Sequence, residues 1–385
     1  MTRLLSRPIA PRRLLAFLAA ILLFAGSKAL AQCPTTELVS GLRMPLGIAR
    51  SDPGNLIVGE TGTSEPNTGR ISIVDPDGVR RTLLDGLPSG INDVGEPSGP
   101  AGVFLRGRTL YVVLGVGDSV LPGPVLNPDV SSPIFSSVLA IHFSASVENN
   151  TEGWTLSTDD YEALADGETL KLWNGAGERI TVELVANFPD LTVDPTSPNG
   201  LRQSNPFDLV VLGSQVYVTD GARNLVWQAD IDSGAFSQLA AFPTIANPLP
   251  FGPPVVEAVP TGIAHSDGRL LVTLFRGFPF PAGTSVVVQI DPRTGSQTTY
   301  IDGLTSAIDV LPTNHSGDLV LEFSTDFLAP EPGRLQLFET PDDDPPTLVS
   351  DCLFAPTSMA LDEESNLLYV TELAGGRIVT IDLDP

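Results

Sequence analysis

From residue 45 to the end, the chain alternates short apolar runs with turns rich in Gly, Pro, Asp and Asn. One phrase recurs: "PLGIA" at Pro45, "PAGVF" at Pro100, "PFDLV" at Pro206, "PTGIA" at Pro260, "AIDVL" at Ala307 and "PTSMA" at Pro356. A second run follows each after a short turn: "NLIVGE", "TLYVVL", "QVYVTD", "RLLVTL", "DLVLEF" and "LLYVTE". Third runs follow, among them "GRISIVD", "SVLAIHF", "NLVWQAD", "TSVVVQID", "GRLQLFE" and "GRIVTID". Fourth runs such as "RRTLLDGL", "TVELVANF", "TTYIDGL" and "PTLVSDCL" close most units. Runs of four to eight residues, rich in Val, Ile, Leu and aromatics and bounded by turn formers, predict strands. "DPDG" and "DPRTG" predict tight hairpins between the third and fourth.

Four strands per unit, repeated at about 50 residues, predict an all-β, six-bladed β-propeller of four-stranded antiparallel blades. The last unit lacks its fourth strand, and "TELVSGL" (Thr36 to Leu42) matches the missing one. The N-terminal strand is therefore expected to complete the C-terminal blade, which closes the ring and pairs free sheet edges. The wide gap between Pro100 and Pro206 predicts a second blade carrying an excursion over residues 144–177. Residues 32–385 then form a single domain.

The first 31 residues change the picture of where the protein works. Arg3, Arg7, Arg12 and Arg13 precede the apolar "LLAFLAAILLFAG", and "ALA" ends the segment before Gln32. This is the pattern of a cleaved signal peptide, too short in its apolar part to span a bilayer. A secreted or periplasmic protein with no membrane attachment after cleavage is expected. Residues 1–31 hold five of the 21 basic residues and none of the 46 acidic ones. The remainder has 16 against 46, a formal charge of −30. Such a surface repels nucleic acid and favours solubility or cations. A monomer is expected.

Two cysteines, Cys33 and Cys352, suggest a disulfide in an exported protein. The blade arrangement argues the other way. Cys352 lies beside a blade-to-blade link, whereas Cys33 precedes a strand that starts at the opposite face. A strand is about 20 Å long at roughly 3.3 Å per residue, so bonding requires the N-terminal segment to fold back. Both outcomes stay open.

Candidate chemistry is sparse. His142, His265 and His315 all fall on the face of the 1–2 and 3–4 turns and on separate blades, which disfavours a triad or a histidine metal site. No metalloprotease, nucleophile-elbow, phosphate-loop or EF-hand motif occurs. On the opposite face, second strands end in Glu60, Leu114, Asp220, Leu274, Phe323 and Glu372, with Glu322 beside Phe323. Asp208 and Asp309 replace glycine on the inner strands, where Gly47, Gly102 and Gly262 stand in other blades. Glu60, Asn205, Asp208, Asp220, Asp309 and Glu372 are thus candidates for a site near the axis, with Ca²⁺ or Mg²⁺ the cation that oxygen ligands would hold. Acids also end strands and cap turns routinely. "FRGFPFPAG" supplies Phe275, Arg276, Phe278 and Phe280, which could stack against a flat ligand or pack on their own blade.

"EPSGPAGV", "SNPFDLVVL", "VPTGIA" and "LFRGFPFPAG" resemble segments of the ScyD/ScyE family of exported propeller proteins, in order along nearly all of the chain after the signal. That family takes its name from the gene cluster of scytonemin, an extracellular cyanobacterial sunscreen pigment. The resemblance implies an exported six-bladed propeller, accessory to the processing of an extracellular secondary metabolite. It carries no catalytic motif. The expected function is a non-catalytic propeller that binds a small molecule or a protein on the loop face. The alternative is a metal-dependent hydrolase or lactonase resembling the gluconolactonase-like propellers, with Glu60, Asn205 and Asp220 as cation ligands. A quinone-dependent dehydrogenase is less favoured, for want of basic and histidine residues.

Overall fold

Each of the six repeats forms one antiparallel sheet in the computed structural model, and the sheets are arranged as a six-bladed β-propeller. The structure describes residues 33–91, 97–116, 132–150, 152–194, 201–314, 317–329 and 331–384. The signal-like start and His315 lie outside them. Pro34–Pro385 is one compact unit. Among the described residues no helix is long and apolar enough to cross a membrane.

The inner strands are Pro45–Arg50, Pro100–Arg106, Pro206–Leu212, Pro260–Ser266, Ala307–Thr313 and Pro356–Asp362. Each pairs with the second strand of its own blade, and the order then runs outward to the fourth. Thr36–Ser40 pairs antiparallel with Arg377–Asp382, so the start of the chain supplies the outer strand of the blade made by its end. Leu42 is buried between that blade and the first, beside Ile48, Val58 and Tyr369. The ring closure expected from the repeat is present.

The core is six apolar layers, each between two neighbouring blades. Ile57, Ile73, Leu110 and Leu139 lie between the first and second, and Val218, Trp227, Tyr111 and Val138 between the second and third. Further layers continue round the ring. Strands covered on both faces explain why the apolar runs are nearly continuous rather than alternating. Near the axis, threonine hydroxyls stitch one blade to the next: Thr219 donates to the Thr261 carbonyl, Thr261 to that of Ala307, and Thr357 to that of Pro45. Each such bond contributes about 1 kcal/mol.

The excursion at 144–177 is ordered and adds strands to two blades. Trp154–Thr155 pairs in parallel with Leu84 and Asp85 at the outer edge of the first blade. Leu170–Trp173 pairs with Arg179–Val182 at the outer edge of the second. The helix Ala145–Asn150 precedes them and the helix Thr158–Ala165 connects them, the latter capped by Ser157 and Asp160 in a reciprocal box. Val147, Trp154, Leu156, Tyr161 and Leu164 extend the layer between these blades.

Both cysteines are disulfide-bonded, and the chain has only two, so the bond joins Cys33 to Cys352. Distance along one blade overstates the separation of the two cysteines. The 3–4 turns instead lie sideways against the outer strand of the preceding blade: Gly78 packs on the Leu38 carbonyl and Gly295 on that of Leu239. In the last blade, the beginning of the chain takes the place of that turn, and the preceding outer strand, Thr347–Leu353, contains Cys352.

Candidate functional site

Acids ending the second strands are buried on the face of the 2–3 loops and blade links. Glu60 is fully buried; its carboxylate accepts from Arg70 Nε at 2.9 Å, from Ser72 Oγ and from the Arg43 backbone N–H. Glu322 accepts from the Thr305 N–H at 2.6 Å and from Arg334 Nε. Glu372 accepts from the Phe354 N–H at 2.7 Å and from Arg377 Nε at 2.5 Å. In each case the acid and its arginine are direct cross-strand partners, the arginine opening the third strand. The accepted N–H lies two residues before the inner strand. Between them Met44, Ser306 and Ala355 take left-handed backbone at φ 50–54°, a costly bend that these bonds hold in place.

Asp220 is the third blade's version. Its carboxylate accepts from the Asn205 N–H at 2.8 Å, the Arg223 N–H at 3.1 Å, Ser204 Oγ and Trp227 Nε1 at 3.0 Å, with Arg223 Nε 3.7 Å away. The Asn205 amide oxygen accepts from the Val116 N–H at 3.2 Å.

These contacts decide the cation question. Ca²⁺ and Mg²⁺ need six or more oxygens with lone pairs to give. The oxygens of Glu60, Asp220 and Glu372 already serve an arginine and a backbone donor each. Among the described residues no group of three or more acidic, histidine or cysteine side chains is arranged to hold a metal. The set does not fit a divalent ion. Nor does it fit a quinone cofactor, since Arg70, Arg223 and Arg377 are bound to acids, and His142 and His265 sit at the hairpin ends of their strands. The signal for these ion pairs was present in the sequence: an acid closes the second strand, and "GR" opens the third.

Asp208 and Asp309 differ. They occupy equivalent inner-strand positions in the third and fifth blades, with Gly262 of the fourth between them. Asp208 Oδ2 accepts from the Ile263 N–H at 3.0 Å. Asp309 Oδ2 accepts from Met359 N–H at 2.9 Å and Oδ1 from Val310 N–H at 2.8 Å. Each acid thereby reaches across to the next blade. A side chain at Gly262 would strike Asp309, and one at Gly102 would strike Asp208, which explains glycine there. No arginine or lysine faces either acid among the contacts described. Asp208 lies among many protein atoms deep in the ring while part of its surface stays accessible, and the loss of solvent pushes it up to about 7; burial, followed by the Asp208 charge, pushes Asp309 up to about 8. The two titrate as a unit. Of the six axial candidates, these are the two that the structure couples.

The loop Phe275 to Gly283 packs mostly on protein. Phe275, Phe280, Phe323 and Phe327 form one aromatic cluster, with Phe280 and Phe327 centroids 4.1 Å apart. Phe278 remains half exposed against Gly252. Arg276 is buried, its Nε donates to the Thr284 carbonyl at 2.9 Å, and Nη1 has no partner. Burial lowers its affinity for a proton below the arginine norm. Phe327 was not singled out from the sequence, because nothing local in "STDFLAP" places it beside a loop of the preceding blade.

No protein-family model and no curated protein matches the chain. Solved structures do. A gluconolactonase from Xanthomonas campestris is 12% identical with a TM-score of 0.50, covering 90% of this chain and 88% of that one. The PQQ-bound aldose sugar dehydrogenase of Streptomyces coelicolor is 13% identical, also at 0.50, covering 90% and 96%. The likeness is one of fold.

Proposed function

We propose that the protein is an exported, non-catalytic propeller that holds a neutral, hydroxyl-bearing small molecule at the loop-face end of its axis, against Asp208 and Asp309. The observation that carries this reading is the coupled pair itself. Two carboxyls that keep a proton near neutral pH can both donate and accept, as a hydroxyl group requires. Asp208 is only partly covered by protein. An anion is disfavoured by the pair and by the acidic surface. The neighbouring acids, each bound to its arginine, act as structural locks.

A hydrolase acting on a lactone is the second reading, and the same pair favours it. A carboxyl with its proton affinity raised into the neutral range is suited to general acid–base work. The gluconolactonase likeness contributes a fold that supports such chemistry, and no more. A metal plays no part in this version.

Calorimetric titration at pH 7 with D-glucose and with D-glucono-1,5-lactone, alongside a lactone-consumption assay, tests both. Saturable heat that Asp309→Asn removes, without lactone turnover, is the expected result. EDTA-insensitive turnover lost in Asp309→Asn establishes the second reading. Absence of both heat and turnover sensitive to Asp309 overturns the axial site.

A further inference from the structure

The ordered excursion builds a cavity of about 310 Å³ on the outer edges of the first two blades, lined by Glu152, Trp154, Thr155, Trp173 and Asn174 among others. Four observations there are unusual together. Trp173, at the end of the strand added to the second blade, is 65% exposed, whereas most large apolar side chains are buried. Its cross-strand partner Arg179 holds a guanidinium over the ring, 5.6 Å from the centroid, which orients the indole. Trp154 is buried, and its indole N–H has no acceptor. Glu152 is exposed, is bound to no arginine or lysine in the ion pairs found, and reaches toward the 174–175 turn, its Oε2 3.7 Å from where a Cβ on Gly175 would lie.

The chemistry narrows the ligand. An anion would meet Glu152 on a protein of formal charge −25 over the full chain. A cation drawn to the Trp173 ring would meet the Arg179 guanidinium already there. A wholly apolar molecule would strip water from Glu152 without return. A pyranose ring suits the groups that reach the cavity: its C–H face covers an indole, and adjacent hydroxyls donate to one carboxylate. The volume lies at the small end of ligand sites, roughly 300–1,000 Å³, suited to one or two sugar units.

We propose that this cavity is a saccharide-binding site, separate from the axis, in which Trp173 is the stacking platform and Glu152 fixes the hydroxyl pattern. Nothing in this proposal rests on the axial reading. The site lies on an edge, open to a chain that continues beyond it, so it would take a residue of a longer glycan.

The experiment is titration of the full chain with D-glucose, D-galactose, N-acetyl-D-glucosamine and cellotetraose, read by tryptophan fluorescence and saturation-transfer NMR. At least one probe should bind saturably. Trp173→Ala should weaken it tenfold or more and Glu152→Gln severalfold, with melting temperatures unchanged because both side chains are exposed. Asp309→Asn should leave this binding intact. No saturable binding by any probe, or equal binding by Trp173→Ala, overturns the site. Binding lost in Asp309→Asn but kept in Trp173→Ala overturns it as well, and assigns the sugar to the axis.

Discussion

Glu372 and Asp309 are buried acids on neighbouring blades near the same face, yet they live by different rules. Glu372 faces Arg377 across a strand pair and accepts a backbone N–H besides, so its charge is balanced and it fastens a bend. Asp309 faces no cation; what it meets are backbone N–H groups and, through the glycine of the intervening blade, another acid. Position in the ring makes the difference. At the rim of the loop face, the first, fifth and sixth blades each supply an acid and its arginine from adjacent strands. At the axis only inner strands meet, and the bases they carry, Arg50, Arg106 and His265, stand at their far, hairpin ends. The rim acids are structural; at the axis, burial holds the proton affinity of the pair above the usual carboxylate range.

The largest effect should come from breaking a rim lock where both partners are buried. Glu60→Ala strands Arg70 in the interior and should cost about 3–5 kcal/mol, read by urea unfolding. Glu372→Ala should cost less, because Arg377 is a third exposed and can rehydrate. Equal losses would mean that burial of the partner does not set the cost. Asp220→Asn comes next, at about 1–3 kcal/mol, since an amide NH₂ would face some of the donors that now converge on the carboxylate. A variant that melts with the unaltered protein would show that Asp220 is not a lock.

The axial pair should respond to pH rather than to deletion. An acid whose folded proton affinity exceeds its unfolded value stabilises the fold fully below the unfolded pKa, about 4. That contribution is lost as pH rises through the folded value, here about 7 and 8. The slope is up to about 1.4 kcal/mol per pH unit for each such group. The unaltered protein should therefore lose stability from pH 5 to pH 9. Asp309→Asn should cost about 1 kcal/mol at pH 5, since an NH₂ cannot accept, and should flatten the decline so that its disadvantage shrinks or reverses at pH 9. Parallel curves would contradict the coupling.

The blades and the closing strand were legible in the sequence because strand length, turn residues and the recurring phrase are all local signals. The rim acids were legible as acids but not as pairs. Glu60 and Arg70 are ten residues apart, and only the hairpin register makes them opposite. The carboxylates taken alone suggest a cation, whereas the arginines that balance them open the next strand of the same repeat. Asp208 and Asp309 could be placed near the axis from the glycines they replace. Their mutual coupling could not, since 101 residues and a whole blade separate them. The disulfide was undecided because it depends on sideways packing between blades, which strand counting does not register. The two strands that the excursion adds were not legible because they have only two and four residues.

The most direct measurement is a pH titration of aspartate carboxyl carbons by NMR, with selective ¹³C labelling and with Asp208→Asn and Asp309→Asn to assign the two signals. The account predicts two aspartates that stay protonated well above pH 5 and titrate near neutrality. In either single variant, the remaining acid should shift to lower pH once its neighbour's charge is gone. Two carboxyls that titrate near pH 4, each indifferent to loss of the other, would contradict it.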